Sequence, residues 1–224
     1  MRYFMVCFTL SLWCQYAFAQ DFNYTVVRDS VQWQELTTQV LLHPANESFL
    51  PARKIPVGFT FNYLGSNFDS LTIEKSGLIV FDDNRRFCFW GLVGFTDTYD
   101  SHGNGSVCGY ELSGIPGSRK LTLQFKNVAA PYQPGRLVSY QVQFHENGDI
   151  EFIMGPHDLI ELAVLELPES IVIGLVNQNM DTATRALTVT AESTAAWVDD
   201  LHPDFSCLSG LPNTGTRFFF TVAH

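Results

Sequence analysis

LVSYQVQFHENGDIEFIMG, residues 137–155, alternates apolar and polar residues on both sides of an Asn-Gly pair. Val138, Tyr140, Val142 and Phe144 interleave with Ser139, Gln141, Gln143 and His145. On the far side Ile150, Phe152 and Met154 take the apolar positions and Glu151 a polar one. Successive side chains of a strand point to opposite faces, so each half predicts a strand with one face in a core and the other in water. Between them Asn147-Gly148 supplies two residues that tolerate positive φ, as the type I′ hairpin turn requires. The expectation is an antiparallel hairpin over 137–155 with its polar set facing solvent.

The same period recurs along the chain. Leu121, Leu123 and Phe125 alternate with Thr122, Gln124 and Lys126, and Phe59, Phe61 and Tyr63 with Thr60 and Asn62 before Gly65 breaks the run. DSLTIEKSGLIVFDD, 69–83, reads as two strand pieces around Ser76-Gly77, or as one strand with a glycine bulge. SIVIGLVNQ, 170–178, is continuously apolar at its centre and predicts a strand buried on both faces. RALTVTA and the closing TRFFFTVAH alternate again. HDLIELAVLELPES, 157–170, suits a short helix ended by Pro168 or an alternating strand, and SVQWQELTTQVLLHP, 30–44, stays unassigned. Short strands at regular spacing with Gly and Asn turns, and no internal linker, predict one all-β antiparallel sandwich over residues 20–224.

Composition agrees. Of 224 residues, 46% are hydrophobic and only 16% charged, with 19 Phe and 8 Tyr, a globular balance that leans toward sheet. A net charge of −10 repels phosphate backbones and argues against nucleic-acid binding. The basic residues pair only at Arg53-Lys54, Arg85-Arg86 and Arg119-Lys120. MRYFMVCFTLSLWCQYAFAQ, 1–20, has Arg2, an apolar run from Tyr3 to Trp13 and an Ala17-Phe18-Ala19 cleavage pattern, so residues 1–19 read as a secretory signal peptide. That run is too short to span a bilayer, which takes about 20 residues, and no later segment suffices. Removing the leader leaves Cys88, Cys108 and Cys207. Export permits a disulfide, and Cys88–Cys108, flanking a Gly-rich loop, is preferred over Cys108–Cys207. The odd count leaves one cysteine over.

IPVGFTFNYLGSNFDSLTIEKSGLIVF, GYELSGIPGSRKLTLQFKNV, VSYQVQFHENGDIEFIMG, IVIGLVNQN and GTRFFFTVAH follow one another in an order that resembles secreted domains of Bacteroidetes-type bacteria, nidogen-like in pattern. The resemblance runs from about Phe22 to His224. It implies a secreted or surface-exposed β-sandwich without a general active site, of a kind that often precedes a C-terminal sorting domain, which this chain does not show. Lys75 and the FCFWGLVGFTDTYDSHGNGSVC stretch depart from the pattern. It also makes Ser30, Ser70 and Thr182, each after Asp and before an apolar residue, candidates for O-glycosylation.

Chemistry is sparse. No G-x-S-x-G, H-E-x-x-H, P-loop or G-x-G-x-x-G motif occurs, and the six His are scattered. His145 reads as a solvated strand residue. TDTYDSHGNG offers Asp97, Asp100 and Asn104 as oxygen ligands that could hold calcium, against the plainer reading of a polar turn. A second acidic stretch, DDLHPD, is weaker. Trp90, Tyr99 and Tyr110 lie in or beside the loop region, where aromatics could stack on sugars, against the plainer reading of packing. The expectation is therefore a non-enzymatic, exported domain, extracellular or at the cell surface or periplasm, that binds a protein or envelope partner. A carbohydrate-binding module, calcium-assisted or not, is the second reading, and a secreted hydrolase the third.

Overall fold

The computed structural model describes residues 24–43, 52–74, 77–82, 87–91, 106–129, 137–157, 173–179, 183–189, 195–199 and 211–223. Among them the alternating stretches form fourteen strands and no helix. In chain order these are β1 (Tyr24–Ser30), β2 (Val40–His43), β3 (Arg53–Tyr63), β4 (Ser66–Ile73), β5 (Leu78–Val80), β6 (Phe87–Gly91) and β7 (Val107–Ser113). There follow β8 (Lys120–Ala129), β9 (Leu137–His145), β10 (Ile150–His157), β11 (Ile173–Asn179), β12 (Ala183–Val189), β13 (Ala195–Asp199) and β14 (Thr216–Val222). They build two seven-stranded antiparallel sheets, one in the order β1-β14-β10-β9-β8-β7-β2 and the other β13-β12-β11-β6-β5-β4-β3.

The inward positions of both sheets meet in one aromatic core. Phe144 meets Phe61 and Phe81 edge to face at 5.4 and 5.5 Å, and Phe89 meets Phe220 at 5.6 Å. Tyr140 stacks between Phe125 and Phe152 at 4.5 and 5.4 Å. Such offset and T-shaped contacts suit the ring quadrupole and add to the area the rings bury. Every apolar residue assigned inward in 137–155 lies in this core. The all-β sandwich is the fold.

Three details differ from the sequence reading. The 145–149 turn is not type I′. Asn147 is not among the residues with positive φ, and only Gly148 is, at 95°. Gly148 N–H donates to His145 O and His145 N–H to Asp149 O, both at 2.9 Å. That is a three-residue loop with glycine as the bulge residue. A two-residue turn of positive-φ pairs instead closes β3–β4 at Leu64 (50°) and Gly65 (78°), where Leu64 gains packing against the core.

The polar face of the first sheet is not open to water. Residues 31–39 lie across it as a strap. Leu36 N–H donates to Gln124 Oε1 at 2.9 Å, Gln141 Nε2 to Gln34 O at 2.8 Å, and Lys126 pairs with Glu35. Thr122, Gln124, Ser139, Gln141 and Gln143 are consequently buried.

Cys88 and Cys108 do not form the expected bridge. Cys108 lies on β7 of the first sheet and points into the main core. Cys88 lies on β6 of the second sheet, and its neighbour Phe89 takes the inward position. Strand alternation therefore turns Cys88 to the outer face, where it packs with Val80 and Val176. The two buried side chains point to different sides of the second sheet, so no disulfide can join them without a register shift.

The 69–83 stretch resolves as two strands, with Thr72↔Val80 and Ile73↔Ile79 paired. β11 is buried on both faces, Leu175 in the core and Val176 in the outer cluster. The undecided 157–170 segment falls almost wholly outside the described residues, as do the leader and Cys207.

Candidate functional site

The sequence IPVGF places Pro and Gly inside a strand, a combination that central strands avoid. β3 accordingly ends the second sheet and is bulged. Its register with β4 runs Pro56↔Ser70 and then Phe61↔Phe68, so Val57–Thr60 face Asp69 alone. Gly58 carries φ 87° in the bulge, and a Cβ there would lie 2.5 Å from Leu112 Cδ2. The strand bends over the hairpin ends of the first sheet. Arg119, in the β7–β8 turn, donates Nη1–H to Gly58 O at 2.8 Å, and Asn62 O lies beside Gly148 of the β9–β10 turn.

The bend leaves an open groove of about 810 Å³ between β3, β4 and that arginine. Lys54, Pro56, Phe59, Thr60, Asp69, Ser70 and Arg119 line it. Arg119 is fixed rather than mobile. Its Nε and Nη2 donate to Glu146 at 3.1 and 2.5 Å, and its guanidinium stacks 5.6 Å over the Phe59 ring. Glu146 also accepts from Gly117 N–H and Arg119 N–H. Hydrogen bonds from the Arg119 side chain, then from its backbone, hold the Glu146 carboxyl down to about 2. Ser70 Oγ–H donates to Asp69 Oδ1 at 3.1 Å. No histidine stands beside that hydroxyl among the described lining residues. The groove's donors, acceptors and apolar ledge suit binding.

A second charged constellation crosses the outer face of the first sheet. Asp29 on β1 accepts from Arg217 Nε and Nη2 at 2.8 and 2.5 Å, and Arg217 Nη1 lies 3.3 Å from Glu151 on β10. Glu151 Oε1 lies 2.8 Å from His145 Nε2 on β9. Burial alone would raise the Glu151 carboxyl. The hydrogen bond and charge of His145, with Arg217, outweigh it and leave the carboxyl below its ordinary value. His145 thus sits partly buried against a carboxylate and is not a plainly solvated residue. Each charge here has a partner, which is the arrangement of a structural network.

The described residues include few of those singled out from sequence. Tyr110 lies on β7, partly buried and packed against the core. Trp90 is on β6, with its side chain outside the description, and Tyr99, Asp97, Asp100 and Asn104 lie outside the described residues. Among the described residues no three His, Cys, Asp or Glu cluster as metal ligands. Ser70 lines the groove, Ser30 ends β1, and Thr182 is outside the described residues. Sequence reasoning missed the groove. The Pro-x-Gly inside β3 was its signal, and one member of each of two basic pairs, Lys54 and Arg119, lines it.

The family model described as NIDO related matches residues 23–222, which takes in all fourteen strands. The chain belongs to the NIDO-related family. This is not a known enzyme family, and a NIDO-related domain fits extracellular, non-catalytic binding or assembly. No helix among the described residues of this NIDO-related chain is long and apolar enough to cross a membrane. No curated protein and no solved structure matches it.

Proposed function

We propose that the chain is an exported, non-catalytic domain that binds a protein or envelope partner through the β3–β4 groove. The observation that carries this reading is the groove itself. An edge strand is bent open by a bulge, and the opening is fixed by Arg119 and Glu146 instead of being closed by packing. Bulges that re-aim side chains at sheet edges are maintained features, not defects. The order of sequence motifs supports a place among secreted surface proteins of Bacteroidetes-type bacteria. The leader pattern supports export and cleavage before Gln20.

The test is retention of labelled Gln20–His224 on an envelope preparation of the source organism. A polysaccharide panel, with and without calcium, runs in parallel. Saturable envelope binding that weakens at least about tenfold when Thr60→Arg fills the groove is the expected result, a loss of about 1.4 kcal/mol. Envelope binding that Thr60→Arg leaves unchanged would remove the groove from the reading. Retention on one glycan class, lost with Trp90→Ala or Tyr99→Ala, would replace it with the carbohydrate-binding reading.

A further inference from the structure

Arg119 and Asp69 keep hydrogen-bonding capacity in the groove. A guanidinium carries five N–H donors. Arg119 directs three of them to Glu146 and Gly58 O, and its side chain is 29% exposed, so two donors remain for a ligand. Asp69 is exposed and accepts from Ser70 through Oδ1, which leaves Oδ2 open as an acceptor among the described residues. The charges balance as well. Glu146 neutralises Arg119, and the other charged lining residues, Lys54 and Asp69, have opposite signs. A lining of this kind favours a neutral ligand with both an acceptor and a donor over an anion or a cation.

Two observations choose among neutral ligands. The first is that no ring face is open for a sugar to stack on. Phe59 is the one aromatic among the described lining residues, it is 6% exposed, and the Arg119 guanidinium lies 5.6 Å over its ring. The second is that the border is aliphatic. A Cβ on Gly58 would lie 2.5 Å from Leu112 Cδ2, so Leu112 of β7 reaches the groove wall through the space that glycine leaves. Leu112 is nonetheless 46% exposed, and Ile115, in the turn that carries Arg119, is 72% exposed. That turn is held in shape. Ser118 N–H donates to Ile115 O at 2.8 Å, and Gly117 N–H and Arg119 N–H both donate to Glu146. An aliphatic surface on a pinned turn loses little conformational freedom when it is covered.

We propose that the ligand of the groove is a neutral, extended peptide segment. A backbone C=O of the segment accepts from Arg119, a backbone N–H donates to Asp69, and an aliphatic side chain packs on Leu112 and Ile115. The groove follows β3 from Lys54 to Thr60, which suits an extended chain. This inference rests on the groove reading above and selects a protein over a polysaccharide as the partner.

Phage-displayed random peptides panned on immobilised Gln20–His224 test the site without its natural partner. Enriched peptides should share an aliphatic position. They should bind Thr60→Arg, and separately the double variant Leu112→Thr with Ile115→Ser, at least about tenfold more weakly, with the thermal melts unchanged. If the double variant melts early, Ile115→Ser alone removes the more exposed half of the border. No enrichment over a blank surface would overturn the proposal. So would peptides selected for a carboxylate in place of an aliphatic residue, or peptides that bind the border variants as tightly as the parent. Retention on the envelope separates this failure from failure of the groove. Retention that Thr60→Arg weakens but that survives protease digestion of the envelope keeps the groove and overturns the peptide. Retention indifferent to Thr60→Arg, with enriched peptides that still need Leu112 and Ile115, supports the peptide site and removes the groove from envelope binding.

Discussion

Tyr63 shows how much one hydroxyl can hold in a sheet. Its ring is fully buried and stacks 4.5 Å from Phe81. Its hydroxyl donates to Cys88 O at 2.6 Å and accepts from Val176 N–H at 3.1 Å. Cys88 and Val176 are partners on β6 and β11, so the hydroxyl sits in the seam between two strands and satisfies one backbone group of each. Burial pushes the phenol well above its ordinary value, with Tyr24 nearby adding to the effect, so it remains a neutral donor. Tyr63→Phe leaves both backbone groups buried without this partner. Each such loss costs about 1–3 kcal/mol. We expect the variant to unfold at lower urea with its m-value unchanged. No change in midpoint would mean that β6 and β11 close the gap and bond directly.

The strap over residues 31–39 buries little of itself and is held by polar contacts. Gln124 is its anchor, accepting from Leu36 N–H while also accepting from Gln141 Nε2. Gln124→Leu removes the one oxygen that accepts both hydrogen bonds but also removes the buried Gln124 Nε2, which finds no acceptor itself. The net cost is therefore near the lower end for a buried hydrogen bond, about 1 kcal/mol. It should be felt locally. Hydrogen exchange at the Leu36 amide should quicken severalfold while amides of β9 and β10 keep their protection, and unchanged exchange at Leu36 would show that the strap is held elsewhere.

This strap also marks where sequence reading stops. Alternation in 137–155 placed Val138, Tyr140, Val142 and Phe144 on one face correctly, because period two follows from strand geometry alone. It could not say that residues 31–39 cover the other face, since nothing in Ser139, Gln141 or Gln143 records a distant segment. Local spacing similarly suggested a Cys88–Cys108 bridge, whereas the alternating neighbours of Cys88 decide which way it points. The groove lay in the Pro and Gly of β3. Its depth depends on Arg119 and Glu146 from another sheet, a pairing no local pattern contains.

At the scale of the whole molecule, three depressed carboxylates tie strands and turns of the first sheet to one another and, through Arg119, to β3. Arg119 holds Glu146 down to about 2 from 4.5. The Arg217 hydrogen bond lowers Asp29, and Glu151 is lowered by His145 and Arg217 against its burial. A carboxyl whose folded value lies below its unfolded value stabilises the fold fully above the unfolded value, and the gain is lost as pH falls through the folded one. All three act with that sign. Stability against urea should be flat with respect to these groups from pH 7 to about 5, then fall as the unfolded carboxyls begin to bind protons and continue falling toward pH 2. Glu146→Gln should make the acid limb shallower, because the variant has no proton left to take up there, while at pH 7 it should be less stable than the parent. Added salt should weaken the exposed Asp29–Arg217 pair more than the buried side of Glu151. An acid limb equally steep in Glu146→Gln would show that the Arg119 clasp contributes nothing to the fold, and the groove it holds open would then have to be maintained by the β3 bulge alone.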